Sequence, residues 1–229
     1  MNASVLIPCR GRPAQLEKSI SALFSLALLP DFIEVIVRAD FCDPELSAII
    51  KVCSGRKNVR VIVGSRLGGY RDCHRFIEDC ARLSSGAVMV IYNDDMEMLS
   101  QDWDSIYFRA LDGGASLKPA SSTISSPNQD GWHYKWACTV ISRKLYNAVG
   151  FEACLGGNPI VDRCWDAFSK YAGEVESGVR IMHHRLEPGD GQKDRSEFYK
   201  ENSRAGEKNA AEWDNVGRMA AARVKEKNL

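Results

Sequence analysis

The sequence predicts an α/β protein with a mostly parallel sheet flanked by helices. Apolar runs typical of buried strands recur through the first half of the chain, at 4–8, 32–40, 59–63 and 87–92. Segments with helical spacing of apolar residues separate them, at 13–27, 44–54 and 70–83. Strands that are apolar along nearly their whole length, alternating with helices, are typical of a parallel sheet covered on both faces.

Local signals support the first elements. Pro8 closes the first apolar run, and Pro13 suits the first turn of the helix that follows. Leu16, Ile20 and Leu23 repeat at helical spacing and give this helix one buried face.

The second half is less regular. A loop rich in Ser, Pro and Gly covers 116–131, and strand character follows at 132–142. Helices are predicted at 143–150, at 162–173, where Gly173 ends the helix, and at 207–225. In the last of these, one side carries Trp213, Val216, Ala220 and Val224.

Composition excludes several classes of protein. The 229 residues are 45% hydrophobic and 26% charged, and the formal net charge is +0, so no global field attracts nucleic acid or a membrane. The chain opens without a signal-peptide pattern, and its longest apolar stretch, around 22–29, is too short to span a bilayer. None of the eight cysteines forms a CxxC pair, so we expect reduced thiols in a cytoplasmic protein and no zinc site of the usual spacing.

The fourth apolar run ends abruptly on Asn93, Asp94 and Asp95. Adjacent carboxylates repel each other unless a positive group lies between them. Ligands of parallel α/β sheets gather beyond the carboxyl ends of the strands, where oxygen ligands suit Mg²⁺ or Mn²⁺ bound to nucleotide phosphates. A solvated turn that caps the next helix is the alternative.

Four segments, in order, resemble the nucleotide-sugar glycosyltransferases of the GT-A fold, particularly the inverting family typified by polysaccharide synthases. They are SVLIPCRGRPAQLEKSISALF, VIVRAD, GGYRDCHRFIEDCARLSSGAVMVIYNDD with its DxD-like end, and VISRKLYNAVGFEACLGGNPIVDRCWDAFSKYAG. The usual acidic pair before the last helix is reduced here to Val161-Asp162, and the usual Arg-Asn of the third helix is absent. The chain is also short, and in this it is similar to glycosyltransferase-like proteins of bacteriophages.

The resemblance implies a metal-dependent, inverting transfer of a sugar. Asp95 is the first metal ligand for Mn²⁺ or Mg²⁺, with Asn93 and Asp94 supporting the metal or the ribose. His184, preferred to His183, completes the metal shell or contacts the diphosphate. Asp162 is the implied general base; it can also serve as the N-cap of its helix, and Asp166 is the second candidate for the base.

The resemblance also implies a donor site at the same edge of the sheet. Asp40 reads the nucleobase, Tyr70 stacks on it, and arginines pair with the phosphates. The predicted donor-binding residues are Pro8, Arg10, Arg12, Asp40, Arg66, Tyr70, Arg71 and Asp94. An aromatic group around Trp132, His133 and Trp136 is either an acceptor platform or hydrophobic cover for the sheet.

We expect one GT-A domain at 1–188, with a nucleotide-binding half at 1–100 and an acceptor half at 101–188. The charged extension at 189–229 has few large apolar residues and should dock on that domain.

The function implied is transfer from a nucleotide diphosphate sugar, with UDP preferred, to an acceptor hydroxyl. A sugar-phosphate nucleotidyltransferase is disfavoured because PCRGRPAQ holds one glycine where such enzymes have a glycine-rich loop. A catalytically inactive nucleotide-binding protein stays open. So does the acceptor, which can be a glycan, a small molecule, a protein or a hydroxymethylated base of phage DNA.

Overall fold

The computed structural model describes residues 2–66, 73–112, 123–125, 138–149, 175–184 and 210–226. The strands are β1 (Ala3–Cys9), β2 (Ile33–Asp40), β3 (Val59–Gly64), β4 (Val88–Ile91), β5 (Met96–Met98), β6 (Thr123–Ser125), β7 (Thr139–Ser142), β8 (Val175–Glu176) and β9 (Ile181–His183). The helices are α1 (Pro13–Ser25), α2 (Leu46–Ser54), α3 (Cys73–Leu83), α4 (Trp103–Asp112), α5 (Arg143–Val149) and α6 (Ala210–Glu226), and a 3₁₀ turn covers Pro30–Phe32.

The predicted fold class is confirmed. The main sheet has the order β3-β2-β1-β4-β7-β6-β8, and β5 pairs with β9 in a second, smaller sheet. Strands β1 to β4 are mutually parallel, whereas β7 runs antiparallel to β4. Because the four parallel strands point the same way, their carboxyl ends lie along one edge, where the polar residues after β1, β2 and β4 meet.

The core lies between the sheet and α1. Val5 and Val35, paired across β1 and β2, are fully buried, as are Leu16 and Leu23 of α1. Helix α4 closes this layer, since the Trp103 indole N–H donates to the Leu23 carbonyl oxygen at 2.8 Å.

Helix α4 is absent from the sequence prediction. Its buried residues Trp103, Tyr107 and Leu111 recur every four positions, which is a helical signal. The apolar stripe is short, and the helix also carries Asp104, Arg109 and Asp112, so its local signal is weak.

The later predicted elements are partly described. Of the strand expected at 132–142, the structure describes β7, and residues 132–137 lie outside the described part, as does the helix expected at 162–173. The helix expected at 143–150 is α5. Helix α6 packs against α5 and buries Ala220, Ala221 and Val224. In the described ranges, no helix combines the length and the apolar character needed to cross a bilayer.

Glu34 in β2 joins three elements at the opposite, amino-terminal edge of the sheet. Its Oε1 accepts hydrogen bonds from the Ser4 hydroxyl at 2.6 Å and from the Ser85 backbone N–H at 2.5 Å, and its Oε2 accepts one from Arg60 at 2.5 Å. Burial raises the pKa of this carboxyl, but the hydrogen bonds and the Arg60 charge outweigh it and leave the pKa below its ordinary value.

We therefore expect Glu34→Gln to lower the free energy of unfolding at pH 7 by about 1–3 kcal/mol, the usual range for a hydrogen-bonded charged group. A depressed folded-state pKa means that this stabilisation is present above the unfolded pKa of about 4.3 and is lost as the pH falls through the folded value. The difference in free energy of unfolding between wild type and Glu34→Gln, measured by urea unfolding, should thus be larger at pH 7 than at pH 3.5. Glu17→Gln, on the exposed surface of α1, is the matched control.

Candidate functional site

The loop between β1 and α1 is held in one conformation at the carboxyl edge of the sheet. Gly11 has a φ of +68°, in the left-handed region that favours glycine. Its backbone N–H donates to Asp43 Oδ2 at 2.8 Å, and Asp43 Oδ1 accepts from the Glu45 N–H at 2.9 Å. Asp43 thus ties this loop to the start of α2 and sets the positions of Arg10 and Arg12.

Arg12 is the positive group between the two adjacent carboxylates. It holds the N-cap position of α1 without capping the helix through its side chain. Its Nη2 lies 3.0 Å from Asp94 Oδ1, and its Nη1 donates to Asp95 Oδ2. The guanidinium therefore bridges both acidic side chains, one with each arm.

Asp94 is the more deeply buried of the two acids. Its Oδ2 accepts the Arg10 backbone N–H at 3.3 Å, and its own carbonyl oxygen accepts the buried Ser19 hydroxyl at 3.0 Å. Burial, with a smaller contribution from the charge of Asp95, raises the pKa of Asp94 to about 6, although Arg12 opposes the shift. This carboxylate is a structural anchor for the loop and for Arg12.

Asp95 is more accessible and behaves differently. Burial raises its pKa, but the contact with His183 and the charge of Arg12 together lower it below the ordinary value. Asp95 is therefore the acid of the pair that is ionised near neutral pH, and its carboxylate suits a further cation.

The small β5–β9 sheet brings a histidine to Asp95. Met96 pairs with His183, and His183 Nε2 lies 3.1 Å from Asp95 Oδ1. The neighbouring His184 lies on the other side, with its Nε2 2.7 Å from Glu97 Oε2. The two rings face opposite ways because side chains alternate along a strand, and the residue beside the acidic pair is His183 in place of the preferred His184.

The donor chemistry of Asp95 and His183 fits a divalent metal ion. A carboxylate oxygen and an imidazole nitrogen separated by 3.1 Å have about the spacing of two adjacent ligands on one ion, each roughly 2.1 Å from it. In the parts of the chain that the structure describes, no three His, Cys, Asp or Glu side chains cluster around one point. The described part of the protein thus offers one carboxylate and one imidazole, and substrate phosphates and water would supply the rest of the coordination shell.

Asp40, at the end of β2, is fixed by two arginines. Its Oδ2 accepts Arg10 Nη1 at 2.9 Å and its Oδ1 accepts Arg38 Nη1 at 2.9 Å. Arg38 is buried and also contacts Asp79 at 3.2 Å, while its guanidinium stacks 4.8 Å from the centroid of the Phe76 ring. Helix α3 therefore holds Arg38, and Arg38 holds Asp40 at the edge.

The structure brings five of the predicted residues of the first half together at one edge. Arg10, Arg12, Asp40, Asp94 and Asp95 form a connected set of ion pairs and hydrogen bonds.

The remaining predictions divide into two groups. Pro8 pairs in register with Arg38, Asn93 is half-buried between β4 and β5, and Arg66 is exposed beyond β3. The other predicted residues lie outside the described part of the chain, namely Tyr70, Arg71, Trp132, His133, Trp136, Asp162 and Asp166.

Sequence reasoning missed Arg38 and Asp43. A charged residue inside the apolar run VIVRAD was a signal for Arg38, because a buried arginine requires an acidic partner. Asp43 stands just before Pro44 and a helix, where it also fits an ordinary turn. Its contact with Gly11 joins two loops that are distant in the sequence.

Neither a protein-family model nor a curated protein sequence matches the chain. Among solved structures, the chain is similar to the mannosyltransferase PcManGT from Pyrobaculum calidifontis in complex with GDP-Man and Mn²⁺, with a TM-score of 0.62 and 12% identity over 98% of this chain and 73% of that one. It is also similar to residues 1–349 of S. aureus TarS in complex with UDP-GlcNAc, with a TM-score of 0.61 and 12% identity over 83% of this chain and 60% of that one.

A further structure of S. aureus TarS 1–349 aligns with a TM-score of 0.53 and 12% identity over 64% of this chain. The chain spans 48% of that structure. At this level of identity the likeness concerns the fold, and the chain has the mixed α/β fold of these glycosyltransferases.

Proposed function

We propose that this protein is a metal-dependent glycosyltransferase that moves a sugar from a nucleotide diphosphate sugar, with UDP as the nucleotide, to an acceptor hydroxyl. The observation that carries the proposal is the convergence of Arg10, Arg12, Asp40, Asp95 and His183 at the carboxyl edge of a glycosyltransferase fold. The related folds that bind GDP-Man and UDP-GlcNAc support the choice of donor class.

The described residues at the carboxyl edge of the sheet have three proposed roles. Asp95 and His183 hold the metal ion, which when bound neutralises charge on the leaving diphosphate. Arg10 lies between Asp40 and Asp94, and its side chain is about one-third exposed, at 35%, so it can reach a phosphate without leaving the edge. Asp40, held by Arg38, recognises the nucleobase.

The proposal for the acceptor side of the reaction rests on the sequence alone. We propose that Asp162 removes the proton from the acceptor hydroxyl as the new bond forms, which makes the transfer inverting. The half of the chain at 101–188 would form the acceptor side, and the extension at 189–229 would dock on it. A hydroxymethylated DNA base is the alternative acceptor.

A screen of nucleotide sugars for release of nucleoside diphosphate, with and without Mn²⁺, tests the proposal. We expect release from at least one UDP-sugar that requires the metal and increases when the acceptor is present. Metal-dependent thermal stabilisation by UDP without turnover of any sugar would instead identify an inactive nucleotide-binding protein.

A further inference from the structure

Arg12 holds the two acids unequally. The Asp94 side chain is 2% exposed and also accepts the Arg10 backbone N–H, so its contact with Arg12 Nη2 is enclosed by protein. The Asp95 side chain is 10% exposed, and its second oxygen faces His183. Of the two arms of the guanidinium, the one on Asp95 is therefore the easier to displace.

A metal ion held by Asp95 Oδ1 and His183 would share the Asp95 carboxylate with that arm, which donates to the other oxygen, Oδ2. The guanidinium and a divalent cation repel each other across a few ångströms, and in a partly buried site this repulsion is much stronger than in water. The Asp95 carboxylate cannot offer its full charge to a metal while Nη1 of Arg12 remains hydrogen-bonded to it.

We propose that Arg12 is the resident counter-ion of Asp95 before metal binds, and that the metal displaces Nη1 from Asp95 while Nη2 stays on Asp94. The released arm remains at the edge and donates to an oxygen of the donor diphosphate, a step that rests on the proposed function. Arg12 thereby makes metal alone bind weakly, and metal and nucleoside diphosphate bind together.

The proposed displacement of Arg12 predicts that Mn²⁺ binding and UDP binding are thermodynamically coupled. Because coupling between two ligands is reciprocal, UDP raises the affinity for Mn²⁺ by the same factor by which Mn²⁺ raises the affinity for UDP. Part of that factor arises from Arg12, which resists the metal when it is alone and binds the phosphate once displaced.

The test is a Mn²⁺ titration followed by the electron paramagnetic resonance signal of free Mn²⁺, in the absence and presence of UDP. We expect Arg12→Gln to bind Mn²⁺ without UDP about tenfold or more tightly than wild type, as expected when a competing charged hydrogen bond is removed. UDP should then raise the Mn²⁺ affinity by a smaller factor in the variant than in wild type.

Lys18→Gln is the matched control, since it removes the same charge from the exposed surface of α1 and Lys18 has no part in the proposed site. Its affinity for Mn²⁺ alone should stay close to that of wild type. An equal gain in both variants would mean that general charge, and not displacement of Arg12, controls metal binding, and would overturn the proposal.

An unchanged or weaker Mn²⁺ affinity in Arg12→Gln would also overturn it, because Arg12 would then orient the ligands rather than compete with the metal. Should this variant fail to fold by circular dichroism, Arg12→Gln combined with Asp94→Asn removes the buried ion pair as a neutral unit. This double variant is expected to bind Mn²⁺ more tightly than wild type but by a smaller factor, because the competing arm is lost together with the charge of Asp94. Wild type provides an independent check, since Mn²⁺ affinity that is equal with and without UDP contradicts the exchange.

These outcomes are separable from those of the proposed function. If wild type transfers sugar but Arg12→Gln gains no Mn²⁺ affinity, the displacement of Arg12 by metal is contradicted and the proposed glycosyltransferase activity is supported. If Arg12→Gln gains Mn²⁺ affinity but wild type turns over no nucleotide sugar, the displacement of Arg12 is supported and the proposed glycosyltransferase activity is contradicted.

Discussion

Asp95→Ala is expected to abolish the Mn²⁺-dependent part of UDP binding. The change removes the carboxylate that faces both His183 and the open edge, so the loss should exceed the roughly ten- to hundredfold typical of residues in the outer shell of a metal. The fold should persist, because Arg12 keeps its contact with Asp94.

Calorimetric titration of UDP with and without Mn²⁺ measures this effect, and thermal unfolding confirms that the variant is folded. Glu97→Ala is the matched control, since it removes a nearby carboxylate that pairs with His184 away from Asp95. UDP affinity in Mn²⁺ that equals that of wild type would remove Asp95 from the metal site.

Asp162→Asn is expected to preserve binding of the donor and to lower transfer by roughly a hundredfold to ten-thousandfold, the usual contribution of general-base assistance. The amide keeps the shape of the side chain and its capacity to cap a helix, but it cannot accept the proton of the acceptor hydroxyl. The loss should therefore appear in kcat rather than in donor affinity.

Asp166→Asn distinguishes the two candidate bases under the same assay. Near-native turnover in Asp162→Asn together with a large loss in Asp166→Asn would reassign the base to Asp166. Near-native turnover in both variants would mean that neither Asp162 nor Asp166 is the general base.

The local sequence is sufficient to predict the first strands of the sheet and the positions at which they end. The apolar runs that form β1, β2 and β4 need no partner to be recognised, because burial on both faces forces nearly every position to be apolar. The position of Asn93, Asp94 and Asp95 follows from the same pattern, since these residues directly follow such a run. The short helix α4 lacks this strength of signal.

The identity of the contacts at the edge depends on packing. Alternation along β9 indicates that one of His183 and His184 faces the acidic pair, but the register of β9 against β5 selects His183. Arg38 is tolerable in a buried strand because α3 supplies Asp79 and Phe76 from a separate part of the chain.

By itself, the sequence determined the α/β class, the parallel order of strand and helix, and the acidic pair at the tip of β4, because periodicity and burial are local properties. The tertiary structure alone decided that Arg12 bridges that pair, that Arg38 holds Asp40, and that His183 lies beside Asp95. Arg12 and Asp95 are 83 positions apart, and an ion pair depends on distance in space, which the spacing along a chain does not encode.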